Sequence, residues 1–190
     1  MQTKVALSAL FIGLGFISAE ALAFRKFFEQ FSEHYQANQI STQMLVNEQS
    51  CGVCHVRPGG GGQRTPYGED FKKIALGEGK GFPGIEFLDS DEDGFLNLEE
   101  IFLQTAPGKS EQAPQGRIEL VIENSSTLLV RPAVACAKLN LKAFGFSFEN
   151  SGGEIELSNV GAETRLPISG EAGAILARCD SEKLAGSLQR

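Results

Sequence analysis

The chain has 190 residues, with 17 Lys and Arg against 24 Asp and Glu and a formal net charge of −7. That balance argues against nucleic acid and anionic membrane surfaces as partners, and for a protein partner with a basic or mixed-charge surface whose association weakens as salt rises. The length allows one ordinary domain or two small ones.

Residues 1–23 read as a secretory signal peptide. Met1 to Lys4 is a short, weakly positive start, Val5 to Ser18 is apolar, and Ala21-Leu22-Ala23 is an A-x-A cleavage site. The apolar run is too short for a comfortable membrane span and no other stretch could span, so the mature chain is expected to be exported, into a bacterial periplasm, without a membrane span. Phe24 to Asn38 reads as a helix with one aromatic stripe, Phe24, Phe27, Phe28, Phe31 and Tyr35, at spacings of three and four. Gln39 to Asn47 reads as a second short helix, apolar at Ile40, Met44 and Leu45.

Cys51-Gly52-Val53-Cys54-His55 follows, matching the attachment signature of c-type haem. Two thiols three positions apart can form thioethers to the two vinyl groups of one haem, and His55 can ligate the iron on its proximal side. A redox-active dithiol or half of a zinc site would use the same cysteines, but zinc needs two more ligands and a thioredoxin-like site needs a βαβ setting. The chain supplies only Cys136, Cys179 and His34 elsewhere, and a glycine-rich loop, Pro58 to Gly62, comes next. Arg64 or Tyr67 could bond a haem propionate. The sixth iron ligand is open. No Met or His occurs after His55, so the candidates are His34, Met44 or a vacant position.

The run from Cys51 to His55 through Arg57-Pro58-Gly59 to Tyr67-Gly68 resembles small exported bacterial mono-haem c-type cytochromes, over about residues 24–78. The resemblance implies a haem c electron-carrier domain.

Asp89 to Glu100 fits an EF-hand calcium loop. Asp89, Asp91, Asp93, the Phe95 carbonyl, Asn97 through water and bidentate Glu100 would supply ligands, with Gly94 at the sharp turn and Leu96 pointing into the core. Only about one helical turn can precede the loop, because of Gly79, Gly81, Pro83 and Gly84; Leu98 to Thr105 reads as the exiting helix. An unpaired loop in an exported protein suggests structural calcium. The stretch from Leu88 to Gly108 also resembles single calcium loops that follow haem segments in such cytochromes.

Residues 109–115 read as a linker, after which the pattern changes to period two. Ile118, Leu120 and Ile122 share a face. Asn124-Ser125-Ser126 turns the chain into Thr127 to Arg131. Asn140, Lys142, Phe144, Phe146 and Phe148 share a face of another strand, which turns into Glu154 to Leu157; Leu166 to Ile168 and Ala174 to Cys179 are further strands. Cys136 and Cys179 are expected to form a disulfide in an oxidising compartment. The expected fold is α+β: a small all-α c-type haem domain (24–78) with an EF-hand-like calcium-binding segment (79–108), the linker, and a small antiparallel β domain (116–190) of unknown role. The expected function is electron transfer. The alternatives are a haem enzyme or ligand sensor with an open, peroxidase-like iron site, and a calcium-stabilised protein-binding module.

Overall fold

The computed structural model describes residues 19–37, 40, 50–149, 151–170 and 172–189. Three α-helices occur among them: α1 (Ala19–Ala37), α2 (Pro66–Asp70) and α3 (Asn97–Leu103). A π-helical turn, Phe71–Leu76, continues α2, and single 3-10 turns lie at Ser50–Val53 and Phe82–Gly84. Among the described residues no helix is long and apolar enough to cross a membrane. The expected signal sequence lies outside the described residues up to residue 18, and α1 runs through the expected cleavage position.

Eight strands follow: β1 (Gly116–Glu123), β2 (Thr127–Pro132), β3 (Cys136–Phe144), β4 (Ser147–Phe148), β5 (Glu154–Val160), β6 (Thr164–Ser169), β7 (Ala174–Cys179) and β8 (Leu184–Gln189). They form one sheet in the order β4-β6-β2-β1-β8-β7-β3-β5. Its two end strands, β4 and β5, touch each other, so the sheet curls into a nearly closed barrel. Ile118 and Leu120 of β1, Leu128 and Val130 of β2, and Ile175 and Ala177 of β7 fill the interior, with Ile122 packed beside them. Cys136 and Cys179 are joined by a disulfide, with their Cα atoms 6.1 Å apart.

This architecture corrects the expected one of a small all-α haem domain followed by a small antiparallel β domain. The sheet is the body of the molecule, and it is mixed, since β8 inserts between β1 and β7 and runs parallel to β1 (Gly116↔Leu184, Arg117↔Ala185). The segment before it carries too little helix to enclose a core alone. Its two α-helices after residue 50 have 5 and 7 residues, and glycines and prolines break the chain between them. Its aromatic cluster of Phe31, Tyr35, Tyr67, Phe71 and Phe82 is instead completed by fully buried Leu176 of β7, with Phe144 of β3 packed alongside. The helices therefore form a layer on the outer face of β3 and β7. Strand β7 is buried on both faces, as its unbroken apolar run Ala174-Ile175-Leu176-Ala177 suits.

The shared face expected for Asn140 to Phe148 also breaks. Leu139, Leu141 and Ala143 face the barrel interior, and Phe144 faces the helical layer. Phe146 and Phe148 then return to the interior, because the turn at Gly145 between β3 and β4 resets the two-residue alternation.

Candidate functional site

Cys51, Cys54 and His55 are brought together by one turn of chain. The 3-10 turn is closed by N–H donors of Cys54 and His55 to the Cys51 carbonyl (3.2 and 2.9 Å). The glycine-rich loop then folds back: Val56 N–H donates to the Gln63 carbonyl, and Thr65 N–H to that of Cys54. Thr65 locks the return. Its hydroxyl donates to the Val53 carbonyl (2.8 Å) and accepts from Gly68 N–H (3.1 Å), capping α2, with Pro66 starting the helix. Gly68 packs so tightly on the motif that a Cβ there would lie 2.0 Å from the Cys54 carbonyl oxygen.

The two thiols, which are not disulfide-bonded, and His55 line an apolar cavity of about 190 Å³. Its walls are aromatic: Phe27, Phe28 and Phe31 come from α1, Phe71 follows α2, and Phe82 closes one side. Apart from the histidine and the thiols, the ionisable lining side chains are Arg64 and Lys72, both cationic. Burial first, and then the neighbouring Cys51, pushes the Cys54 thiol up to about 12, so it stays protonated at neutral pH. Two thiols, an imidazole, aromatic walls and two cations fit a flat apolar ring that carries carboxylates, which is the description of haem.

No protein-family model matches the chain, and no curated protein matches it.

Of the remaining candidates for that cavity, Arg64 lines it, His34 and Tyr67 do not, and Met44 lies outside the described residues. His34 Nε2 lies 2.8 Å from Glu86 Oε1, and the His34 ring stacks on Phe82 (5.3 Å), which in turn stacks on Phe71 (5.0 Å). Phe82 thus stands between His34 and the Phe71 wall. Tyr67 is fully buried, and Arg64 has its Nη1 3.3 Å from Glu69 Oε1. Burial holds the Tyr67 and Tyr35 phenols well above their ordinary range.

The acidic loop is the second candidate site. Asp89 accepts N–H bonds from Asp93 (3.1 Å) and Gly94 (2.8 Å), and Asp93 accepts from Phe95 (2.8 Å). These bonds wrap the backbone so that one oxygen each of Asp89, Asp91 and Asp93 lies within 4.8 Å of the others. Gly94 has φ +95°, a left-handed conformation suited to the sixth position. Glu100, on α3, has 0% exposure, and neither of its carboxylate oxygens has a hydrogen-bond partner; the same holds for both oxygens of Asp91 and one of Asp93. Burial, then the charges of Asp91, Asp93 and Asp89, push Glu100 up to about 10; burial, then Asp93 and Asp89, push Asp91 up to about 6. Orphaned, buried, mutually repelling carboxylates fit a hard divalent cation with oxygen ligands, as calcium requires.

The two ends of the loop are tied together. Asn97 N–H donates to the Leu88 carbonyl (2.8 Å) and Leu98 N–H to that of Glu86 (2.9 Å). Asn97 is itself buried, its Nδ2 donating to the Ile85 carbonyl and to Ser90 Oγ, while its Oδ1 is left without a partner. Leu96, expected in the core, is only half-buried; Phe95 is buried instead, packed with Leu103 and Ala185 under the Arg117 guanidinium. The neighbouring Glu99 faces the sheet, accepting from Leu96 N–H and Ser187 Oγ–H. Sequence reasoning missed Phe71, Lys72 and Phe82 as cavity walls and Glu86 as the partner of His34. Apart from their aromatic or charged character, these residues carry no motif.

Proposed function

We propose that this chain is an exported mono-haem c-type cytochrome that carries electrons and is stabilised by calcium. The observation that carries the reading is that Cys51, Cys54 and His55 line one Phe-walled cavity beside two cations. Haem, when bound there, supplies a one-electron couple. Each thiol would add its S–H across one vinyl group, sulfur bonding to carbon and the proton going to the neighbouring carbon. His55 would hold the iron. The phenylalanines would exclude water, and Arg64 and Lys72 would neutralise the propionates. Calcium would occupy the Asp89–Glu100 loop. The Cys136–Cys179 disulfide supports an oxidising compartment such as the periplasm. The net charge of −7 supports a basic or mixed-charge redox partner.

A second reading rests on the position of His34. Its link to Glu86, behind Phe82, supports an open iron and hence ligand binding or peroxidase-like chemistry.

The test is expression with haem-attachment machinery. Haem should stay with the chain after denaturation and be lost in a Cys51→Ser, Cys54→Ser variant; no covalently held haem in the wild type would overturn the proposal. Optical spectra of wild type, His34→Ala and Met44→Ala then separate the two readings. Carbon monoxide uptake without displacement of a ligand favours the open iron.

A further inference from the structure

The acidic loop and the cavity are joined by two hydrogen-bonded ties, neither made by a residue at a cation-ligand position. One runs to the π-helical turn. Ser90, second in the loop, donates its hydroxyl to Asp70 Oδ2 (2.8 Å) while accepting from Asn97 Nδ2 (2.9 Å). Asp70 directly precedes the turn that places Phe71 and Leu76 in the cavity wall. The other runs to α1. The Glu86 carbonyl closes the loop through Leu98 N–H, and the Glu86 carboxylate meets His34, one turn beyond Phe31 of the wall that α1 supplies.

We propose that the loop and the cavity form one coupled unit, in which a divalent cation bound by Asp89, Asp91, Asp93 and Glu100 fixes both walls of the cavity through Ser90–Asp70 and Glu86–His34. The inference rests on the haem reading above for the identity of the cavity's occupant. Without a cation, Asp89, Asp91 and Asp93 crowd within 4.8 Å of one another and the buried Glu100 side chain has no partner, which loosens the segment that anchors both ties. With it, residues 86–100 are drawn to one geometry and the ties hold the walls in place. Linkage makes the effect reciprocal: whatever orders the walls raises the affinity of the loop by the same factor.

The test compares calcium affinity, by titration calorimetry, in the full chain with covalent haem and in the chain made without attachment machinery. The haem form should bind calcium about fivefold or more tightly, the low end of ordinary coupling. Asp70→Ala should bring that ratio towards one, and Asp70→Asn, which keeps an acceptor for Ser90, should restore it. Loss of a negative charge near the loop affects both forms and cancels in the ratio. Equal affinities in the two wild-type forms, or a ratio indifferent to Asp70→Ala, would overturn the coupling. Failure of the haem reading is seen separately, as absence of covalent haem before any calcium is added. The coupling is then read in the haem-free chain by hydrogen exchange: calcium should protect residues 71–76 in the wild type and not in Asp70→Ala or Ser90→Ala. Unchanged protection in the wild type overturns it.

Discussion

Arg178 of β7 donates from Nη1 to the Phe102 carbonyl at the end of α3 (2.7 Å) and lays its guanidinium over the Phe102 ring, 4.9 Å from its centre. One side chain thereby satisfies a helix-terminal carbonyl, places a cation at the negative end of the helix and fastens the acidic segment to the sheet. Arg178→Ala should cost about 2 kcal/mol, the range for a charged hydrogen bond whose acceptor is left behind. Denaturant unfolding with calcium present measures it, and a change within error would show that other contacts hold α3 to the sheet.

Glu100 should behave oppositely with and without calcium. In chelator its buried, unpartnered side chain is accommodated at neutral pH by taking up a proton, a cost that Gln does not bear, so Glu100→Gln should stabilise the chain by about 1–3 kcal/mol. With calcium the same change removes a ligand, so the variant should lose most of the metal's stabilisation. Thermal melts in the two conditions should therefore rank wild type and variant in reverse order.

Stability in chelator should fall as pH rises. The folded chain holds protons on Asp91 up to about pH 6 and on Glu100 up to about pH 10, whereas their ordinary values are 3.8 and 4.5. Between those limits the folded state binds more protons than the unfolded one, so stability is full below the ordinary values and is lost progressively above them. Saturating calcium should abolish this slope. Melting temperatures from pH 4 to 9, with and without chelator, check both halves; a flat chelator series would show that these carboxylates are not buried together in solution.

Reduction of Cys136–Cys179 should cost about 4 kcal/mol in the chain-entropy model, because the bridge closes a loop with a sequence separation of 43. Cys136→Ser with Cys179→Ser should reproduce the loss, read as a shift in the denaturant midpoint.

The strands were legible because alternation is local: Ile118, Leu120 and Ile122 face inward as their spacing implies. Closure of the sheet was not, since pairings such as Gly116 with Leu184 join residues far apart in sequence and no local pattern records them. Lys142 and Phe144 misled for a different reason: the alternation that unites them with Phe146 is interrupted at one turn. At the site, the cysteine motif and the acidic loop could be located because their residues are near neighbours. The shape of the cavity could not. Phe71 and Phe82 are ordinary apolar residues until the fold stacks them, and the neighbour that takes up His34 lies 52 residues away.

The position of β8 bears on how the molecule assembles. This strand sits between β1 and β7, so the middle of the sheet is filled by the last of the eight strands in chain order. A ribosome or an export channel delivers β1 well before the neighbour it needs, and until β8 arrives β1 and β7 each present a bare edge. The barrel must therefore close late, through long-range pairing that is slow by its topology, and the incomplete chain is at its most prone to aggregation just before that step.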